Sequence, residues 1–154
     1  MANELRSSAH SVGEANLHLQ FTPAYRAKVF ADTLVRELVL GYLVQKAKAM
    51  GVCVAAIECG PDHVHLFVTN WRMYSPKELA RQLKGYTSYM LRRGHAALFK
   101  HLLWGRKFWS AGYFYRTCGI VTAETVERYI REGQRKHWVE NSSHHQRTLI
   151  SFST

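Results

Sequence analysis

The sequence predicts an α+β fold, a ferredoxin-like split β-α-β arrangement built on an antiparallel sheet. Segments with alternating apolar residues and segments with apolar residues at helical spacing follow one another in the order β-α-β-β-α-β. No internal repeat and no linker rich in Pro and Gly divides the 154 residues. We therefore expect a single domain over residues 1–154, with loose tails at 1–14 and at about 140–154.

The first half of the pattern is a strand, a helix and a second strand. Residues 15–22 alternate leucine and phenylalanine with polar side chains, as a half-buried strand does. Apolar residues then recur at helical spacing from Asp32, a suitable N-cap, to Gly51, which stands where a C-terminal cap belongs. Residues 52–58 form a compact run rich in β-branched and small apolar residues, which predicts the second strand.

The second half of the pattern begins with a hairpin. Residues 60–62 are Gly, Pro and Asp, which favour a turn, so the apolar run at 63–69 is expected to pair with the strand before it. Ser75 and Glu78 fit a capping box with Pro76 in the first helical position, and the helix should run to about Arg93.

The last elements are a fourth strand and an appended helix. Residues 108–118 are aromatic and alternating, with a possible interruption at Ala111 and Gly112. Thr122 is a suitable N-cap for a final helix that carries Tyr129.

The charge balance predicts a polyanionic partner. Lys and Arg number 21 against 11 Asp and Glu, which gives a net charge of +10 with neutral histidines. A membrane is disfavoured because the chain has no run of 18 or more apolar residues and no secretory signal pattern near its start. Three cysteines make a poor disulfide framework, so a reducing cytoplasm is expected.

His63 and His65 are the first candidates for chemistry. Residues two apart on a strand point to the same face, with Cα atoms roughly 6.6 Å apart, so the two imidazoles can converge on one metal ion. The alternatives are two histidines on a solvated strand face and a zinc site shared with Cys53 and Cys59, whose spacing matches no closed zinc motif. Two histidine ligands leave coordination positions open, as a catalytic ion that binds a phosphate requires.

A basic and aromatic stretch follows. Residues 79–123 contain no Asp or Glu, and aromatic residues are interleaved with the basic ones. Positive charge follows a phosphate backbone and aromatic faces stack on unpaired bases, so this stretch predicts binding to single-stranded nucleic acid. The candidate DNA contacts are Arg81, Lys84, Arg92, Arg93, Arg106 and Lys107.

At this point the sequence resembles the single-tyrosine HUH transposases of the smallest bacterial and archaeal insertion sequences, the TnpA type. The resemblance runs from about Leu17 to Gln134. It rests on an ordered set of segments: Phe21-Thr22-Pro23-Ala24-Tyr25-Arg26, Gly60-Pro61-Asp62-His63-Val64-His65-Leu66, Tyr74-Ser75-Pro76, Leu83-Lys84-Gly85, Leu103-Trp104, Phe108-Trp109-Ser110-Ala111-Gly112-Tyr113-Phe114 and Thr122-Ala123-Glu124-Thr125-Val126-Glu127-Arg128-Tyr129-Ile130.

The resemblance implies the HUH endonuclease fold and a division of roles. His63 and His65 would bind a divalent ion, Mg²⁺ or Mn²⁺, and Tyr129 would be the nucleophile that forms a 5′-phosphotyrosine bond. Members of this family act as homodimers on single-stranded DNA with hairpin ends and excise and insert their element in that form. Each step exchanges one phosphoester for another, so no nucleotide cofactor is expected, and no GxxxxGK[ST] loop is present.

The third metal ligand departs from the family pattern. A glutamine usually follows the tyrosine by four positions, but Gly133 stands there and Gln134 comes one later, about 100° further round a regular helix. Gln134 is the preferred candidate, with Glu132 or water as alternatives. Three other functions stay open: a related HUH nickase (a replication initiator or a domesticated, repeat-processing transposase), a His-x-His phosphoesterase that uses water, and a non-catalytic binding module.

Overall fold

The computed structural model describes residues 6–8, 11–13, 16–98, 107–118, 124, 128, 131 and 148–151. The strands in these ranges are β1 (Arg6–Ser8), β2 (Ser11–Gly13), β3 (Asn16–Phe21), β4 (Cys53–Gly60), β5 (His63–Thr69), β6 (Phe114–Cys118) and β7 (Thr148–Ser151). The α-helices are α1 (Thr33–Ala49) and α2 (Pro76–Gly94).

The main sheet has five strands in the order β6-β3-β5-β4-β7, and every neighbouring pair is antiparallel. Because β3 and β4 both run antiparallel to β5, they are parallel to each other with β5 between them. Helix α1 is the connection between these two parallel strands. This is the split β-α-β arrangement, and the predicted fold class is confirmed.

The register of β3 against β5 gives the sheet two different faces. Leu19 lies opposite Leu66, and Gln20 lies opposite His65. The first face packs into a core with residues of both helices, and its members on these two strands are Leu17, Leu19, Phe21, Val64, Leu66 and Val68. His63 and His65 alternate with these residues, so both histidines lie on the face that points away from the helices.

Helix α1 begins and ends where the sequence predicts. The Asp32 side chain accepts a hydrogen bond from the backbone N–H of Val35 at 3.1 Å, which satisfies one free donor of the first turn. Gly51 follows the last turn with φ +74°, a conformation that glycine adopts without a steric penalty.

Helix α2 has the predicted start. Ser75 Oγ accepts from the backbone N–H of Glu78 at 3.0 Å, and Pro76 occupies the first position. The Glu78 carboxylate accepts hydrogen bonds from the side chains of Arg81 and Gln82. The helix presents an apolar face to the core at Leu79, Leu83, Thr87 and Leu91.

The segment before β6 is tied to the end of β3 and to α2. Trp109 forms an isolated bridge with Pro23, and the backbone N–H of Ser110 donates to the Thr22 carbonyl at 2.9 Å. The buried Trp109 Nε1–H donates to Thr87 Oγ1 at 2.8 Å. Regular pairing with β3 resumes at Phe114, so the predicted interruption of the fourth strand is confirmed.

The terminal segments differ from the predicted loose tails. β1 and β2 pair as a short hairpin, and β7 pairs with β4 at the edge of the main sheet. The predicted appended helix is described at three residues, which are helical and exposed: Glu124, Arg128 and Arg131. Tyr129 lies outside the described residues. Among the helices described, none combines the length and the apolar character needed to cross a membrane.

Candidate metal centre

The β4–β5 hairpin positions the two candidate ligands. Gly60 pairs with His63 across the turn, and the backbone N–H of Phe30 donates to the Pro61 carbonyl at 3.0 Å, which anchors the turn to the body of the protein. A Cβ atom on Gly60 would lie 2.7 Å from His63 Nε2. The His63 ring therefore occupies space that is open because residue 60 is a glycine.

The His63 and His65 rings lie side by side. Their centroids are 4.9 Å apart and their planes are inclined by 75°. The His65 residue is 5% exposed, whereas the His63 side chain is 15% exposed. The pair thus reaches from the interior of the sheet face toward the surface, so an ion bound by both rings could also contact a molecule in solution.

Each ring uses its Nδ1 atom for a contact within the protein. The His63 Nδ1–H donates to Asp62 Oδ1 at 2.8 Å, and the other oxygen of Asp62 is 3.4 Å from Arg26 Nη2. His65 Nδ1 is 2.9 Å from Nε2 of His18, a buried residue of β3. Nε2 is the second nitrogen of each ring and is the atom that can face a metal ion.

The electrostatic environment keeps the inner imidazoles neutral. Burial lowers the pKa of His65 well below its ordinary value, and the neighbouring His63 and His18 lower it further. Burial and the charge of Arg116 lower the pKa of His18 to about 4. A neutral imidazole is the form that binds a metal ion, so His65 is in the right state at neutral pH.

Asp62 is held in its charged form. The hydrogen bond from His63 is the main cause that lowers the pKa of the Asp62 carboxyl, and Arg26 adds to the effect. The charged carboxylate is a strong acceptor for the His63 Nδ1–H.

The donor set fits a divalent ion that takes further ligands from elsewhere. Two imidazoles on one face, each with its Nδ1 engaged, can offer two Nε2 lone pairs. In the part of the chain that the structure describes, no group of three or more His, Cys, Asp and Glu residues is arranged to hold a metal. Other ligands would therefore come from water, from DNA or from residues beyond that part.

The alternative zinc site is excluded by the register. Cys59 lies opposite Val64, on the face of the sheet that packs against the helices. His63 and His65 lie on the other face, so Cys59 cannot share a metal with them. Burial raises the pKa of the Cys59 thiol, as expected for a thiol in an apolar core.

Four of the six predicted DNA contacts lie on the face of the sheet opposite to the histidines. Arg81, Lys84, Arg92 and Arg93 belong to α2, which packs on the opposite face of the sheet. Lys107 is exposed on the segment before β6. Three predicted site residues, Tyr129, Gln134 and Arg106, lie outside the described residues.

Three of the basic residues on α2 already have partners within the protein. Arg93 donates to the Tyr89 hydroxyl and lies over the Tyr89 ring. The guanidinium of Arg81 forms an ion pair with Glu78 at 2.6 Å. The Lys84 ammonium donates to the carbonyls of Ser110 at 2.7 Å and Gly112 at 3.0 Å, and burial lowers its pKa. Lys84 therefore ties α2 to the turn before β6, while Arg92 and Arg93 are exposed.

Sequence reasoning did not assign a role to His18, Asp62 or Arg26. Asp62 and Arg26 lie in segments that carry the family resemblance, but their contact depends on how the end of β3 meets the β4–β5 turn. In the alternation along β3, His18 falls on the face that carries the polar residues. Its contact with His65 follows from the pairing register of β3 and β5.

Comparison with known proteins identifies the family. The sequence profile of IS200-like transposases matches residues 11–133. The chain is 30% identical over 128 residues to the transposase for insertion sequence element IS200 of Salmonella typhimurium, covering 82% of this chain and 81% of that protein. It is 27% identical over 133 residues to the ISDra2 transposase TnpA of Deinococcus radiodurans, covering 86% of this chain and 94% of that protein.

Solved structures share the fold. A crystal structure assigned as a transposase, from Deinococcus radiodurans, superposes with a TM-score of 0.66 at 24% identity, over 83% of this chain and 97% of that one. A REP-associated tyrosine transposase bound to a REP hairpin superposes with a TM-score of 0.50 at 13% identity, over 86% of this chain and 74% of that one.

The fold and the matching profile define a DNA transposase. The chain belongs to the IS200-like transposase family, and the resemblance to the TnpA type is confirmed.

Proposed function

We propose that this transposase cuts and rejoins single-stranded DNA through a covalent 5′-phosphotyrosine bond to Tyr129, with a divalent ion, Mg²⁺ or Mn²⁺, bound by His63 and His65. The observation that carries the proposal is the paired arrangement of these histidines, with both Nδ1 atoms engaged and the rings 4.9 Å apart. Gln134 is the preferred additional ligand, with Glu132 or water as the alternatives.

The proposed roles of the chain's own residues follow from this arrangement. His63 and His65 hold the site on a rigid hairpin, and Asp62 orients the His63 ring. Lewis-acid polarisation of a non-bridging phosphate oxygen is the chemistry that a divalent ion supplies when bound. The Tyr129 oxygen attacks the phosphorus, the bond to the leaving 3′ oxygen breaks, and that oxygen takes up a proton to become a 3′-hydroxyl.

Rejoining reverses the exchange. A 3′-hydroxyl of DNA attacks the phosphotyrosine, a new phosphodiester forms, and the Tyr129 oxygen leaves and regains its proton. The number of phosphoester bonds is unchanged in each step, so the reaction needs no external energy source.

Single-stranded DNA with hairpin ends is the proposed substrate. The net charge of +10 and the exposed Arg92 and Arg93 support attraction to a phosphate backbone. The structural relative that was solved with a REP hairpin supports hairpin DNA as the ligand. A domesticated, repeat-processing role would use the same chemistry, and the DNA that is cleaved would distinguish it from transposition.

The test is incubation of the pure protein with labelled single-stranded DNA that carries a palindrome from the flank of its coding sequence, with Mn²⁺ or Mg²⁺, followed by denaturing electrophoresis. We expect a DNA–protein adduct that disappears with EDTA and with Tyr129→Phe. Tyr25→Phe, a change in a tyrosine that is 87% exposed, is the matched control and should keep the adduct.

The other outcomes contradict the proposal in distinguishable ways. Cleavage without an adduct would show that water is the nucleophile, as in a phosphoesterase. Binding of this DNA without cleavage would favour the non-catalytic binding module.

We also propose that the transposase is a homodimer. β6 is the last strand on its side of the described sheet, and its Phe114 and Tyr115 side chains are about half exposed. An exposed strand of this kind is a surface on which a second copy can pair. Analytical ultracentrifugation should show a dimer, and a monomer with full cleavage activity would contradict this.

A further inference from the structure

His18 contacts the more deeply buried of the two candidate ligands. It lies on β3, two positions from Gln20 and on the same face of the strand, and Gln20 is paired with His65 in the register. Its Nε2 atom is 2.9 Å from His65 Nδ1, and the residue is 4% exposed.

Two aromatic neighbours fix the plane of the His18 ring. The ring stacks on Phe67 with centroids 4.5 Å apart and an interplanar angle of 3°. The Phe114 ring approaches its edge at 5.7 Å and 66°. The ring therefore has little freedom to turn away from His65.

A hydrogen bond between two neutral imidazoles allows two arrangements of the proton. If His65 Nδ1–H donates to His18 Nε2, the Nε2 atom of His65 carries a lone pair. If His18 Nε2–H donates to His65 Nδ1, the Nε2 atom of His65 carries the proton instead. A metal ion at Nε2 of His65 is compatible with the first arrangement and excluded by the second.

We infer that His18 is a positioning residue that accepts the His65 Nδ1–H and so holds His65 with its Nε2 lone pair directed at the metal ion. This inference rests on the proposed metal centre. The same pattern is present at His63, whose Nδ1–H donates to Asp62. One ligand is thus oriented by a carboxylate near the surface and the other by a neutral ring in the interior.

The experiment is a Mn²⁺ titration of the metal-free protein, followed through the EPR signal of the free ion, on wild type and three variants. His65→Ala removes a ligand. His18→Phe keeps an aromatic ring against Phe67 but removes the acceptor. His18→Gln keeps an acceptor oxygen near the place of Nε2. Circular dichroism in EDTA shows that each variant is folded.

The expected result is a loss of Mn²⁺ affinity of about 10- to 100-fold for folded His18→Phe, the range found when a partner of a metal-binding histidine is removed. His18→Gln should stay within about threefold of wild type, because its amide oxygen can accept the same proton. Imidazole ¹⁵N spectra of the EDTA-treated wild type should show His65 protonated at Nδ1 and unprotonated at Nε2.

Two kinds of failure are distinguishable. If wild type binds Mn²⁺ and His65→Ala does not, but His18→Phe binds as wild type does, the role of His18 is overturned and the metal centre stands. The role of His18 is also overturned if His65 is protonated at Nε2, or if His18→Phe and His18→Gln lose Mn²⁺ affinity equally. If wild type and His65→Ala bind alike, the metal centre itself fails, and the role of His18 fails with it.

Discussion

Asp62 joins the turn of the β4–β5 hairpin to a candidate metal ligand. Its Oδ1 atom accepts the His63 Nδ1–H, and the resulting orientation should matter most when an ion binds. We expect Asp62→Ala to weaken Mn²⁺ binding about 10- to 100-fold, measured by the same EPR titration. Asp62→Asn should weaken Mn²⁺ binding less, because the amide oxygen can still accept the His63 Nδ1–H.

Arg26→Ala is the matched control for Asp62. The Arg26 side chain is 68% exposed, and its contact with Asp62 is 3.4 Å long, so its removal should leave the Mn²⁺ affinity nearly unchanged. If Arg26→Ala loses as much Mn²⁺ affinity as Asp62→Ala does, the ion pair between Arg26 and Asp62, rather than the hydrogen bond from His63 to Asp62, sets the Mn²⁺ affinity.

Glu78 gives a pH-dependent contribution at the start of α2. Hydrogen bonds from Arg81 and then Gln82 lower its pKa to about 2. Because the folded pKa lies below the ordinary value, the stabilisation is complete above about pH 4.5 and is lost as the pH falls toward 2. We expect Glu78→Gln to lower the free energy of unfolding slightly at pH 7, since the group is on the surface.

Urea denaturation at pH 7, 4 and 3 measures this difference between wild type and Glu78→Gln. The difference should be largest at pH 7 and should shrink at the two lower values. A difference that is the same at all three would show that the Glu78 charge is not its source.

The roles of single residues were only partly predictable from the sequence. His63 and His65 stood out because histidine is unusual in an apolar strand, and their side-by-side placement follows from local alternation. His18 gave no comparable signal. Its contact with His65 joins residues 47 apart, and a register that local patterns do not encode decides it.

The β4–β5 hairpin is the element whose backbone geometry positions the proposed metal centre. A methyl group on Gly60 would overlap the His63 ring, which would have to move. We expect Gly60→Ala to lower the Mn²⁺ affinity at least about tenfold. It should change the free energy of unfolding by about 1 kcal/mol or less, because the displaced ring is the end of a side chain near the surface.

Gly112→Ala is the control for this change, because a Cβ atom there meets nothing within 4 Å. EPR titration and urea denaturation of the two variants provide the comparison. If Gly60→Ala binds Mn²⁺ as tightly as Gly112→Ala does, the space at position 60 has no role in placing His63.

At the level of elements, local signals predicted most of the boundaries. Helix α1 has its cap at Asp32, and β5 has the predicted bounds, since capping residues and turn chemistry act over a few residues. The apolar spacing in α2 predicts a buried face formed by Leu79, Leu83, Tyr86 and Met90. The structure confirms Leu79 and Leu83, but Thr87 and Leu91 complete the buried face in place of Tyr86 and Met90. Thr87 is buried because its hydroxyl accepts from Trp109, a contact that spacing alone does not reveal.

The whole molecule separates its basic helix from its histidine pair. Helix α2 packs on one face of the sheet, and His63 and His65 lie on the other. DNA held by Arg92 and Arg93 would therefore contact the protein at a distance from the scissile phosphate. Substitutions on α2 should then affect DNA binding, and substitutions at the histidine pair should affect DNA cleavage.

We expect the double change Arg92→Ala and Arg93→Ala to weaken DNA binding and to reduce the salt dependence of the association constant by about one unit of slope per lost phosphate contact. The cleavage rate at saturating protein should be unchanged. Fluorescence anisotropy at several salt concentrations and single-turnover cleavage measure the two quantities.

Lys48→Ala is the matched control for this double change, because Lys48 is an exposed cation on α1, outside the acid-free stretch. It should leave both quantities nearly unchanged. An equal effect of Lys48→Ala would show that net charge, rather than a surface on α2, attracts the DNA.

The order of the strands was predictable, but the outermost pairing was not. The sequence of strands and helices allows few arrangements, and the split β-α-β sheet is one of them. β7 joins β4 from a segment that local composition marked as a tail, because edge pairing depends on which strand is left uncovered by the rest of the fold.

The alternation along β5 determines what happens when the strand pairs in the wrong register. Val64, Leu66 and Val68 face the core, while His63 and His65 face the other side. A slip of β5 by one residue would bury both histidines under the helices and expose the valines and the leucine. Such a chain could not form a stable core, so inactivation by misfolding should leave unfolded or aggregated protein rather than a compact, inactive isomer.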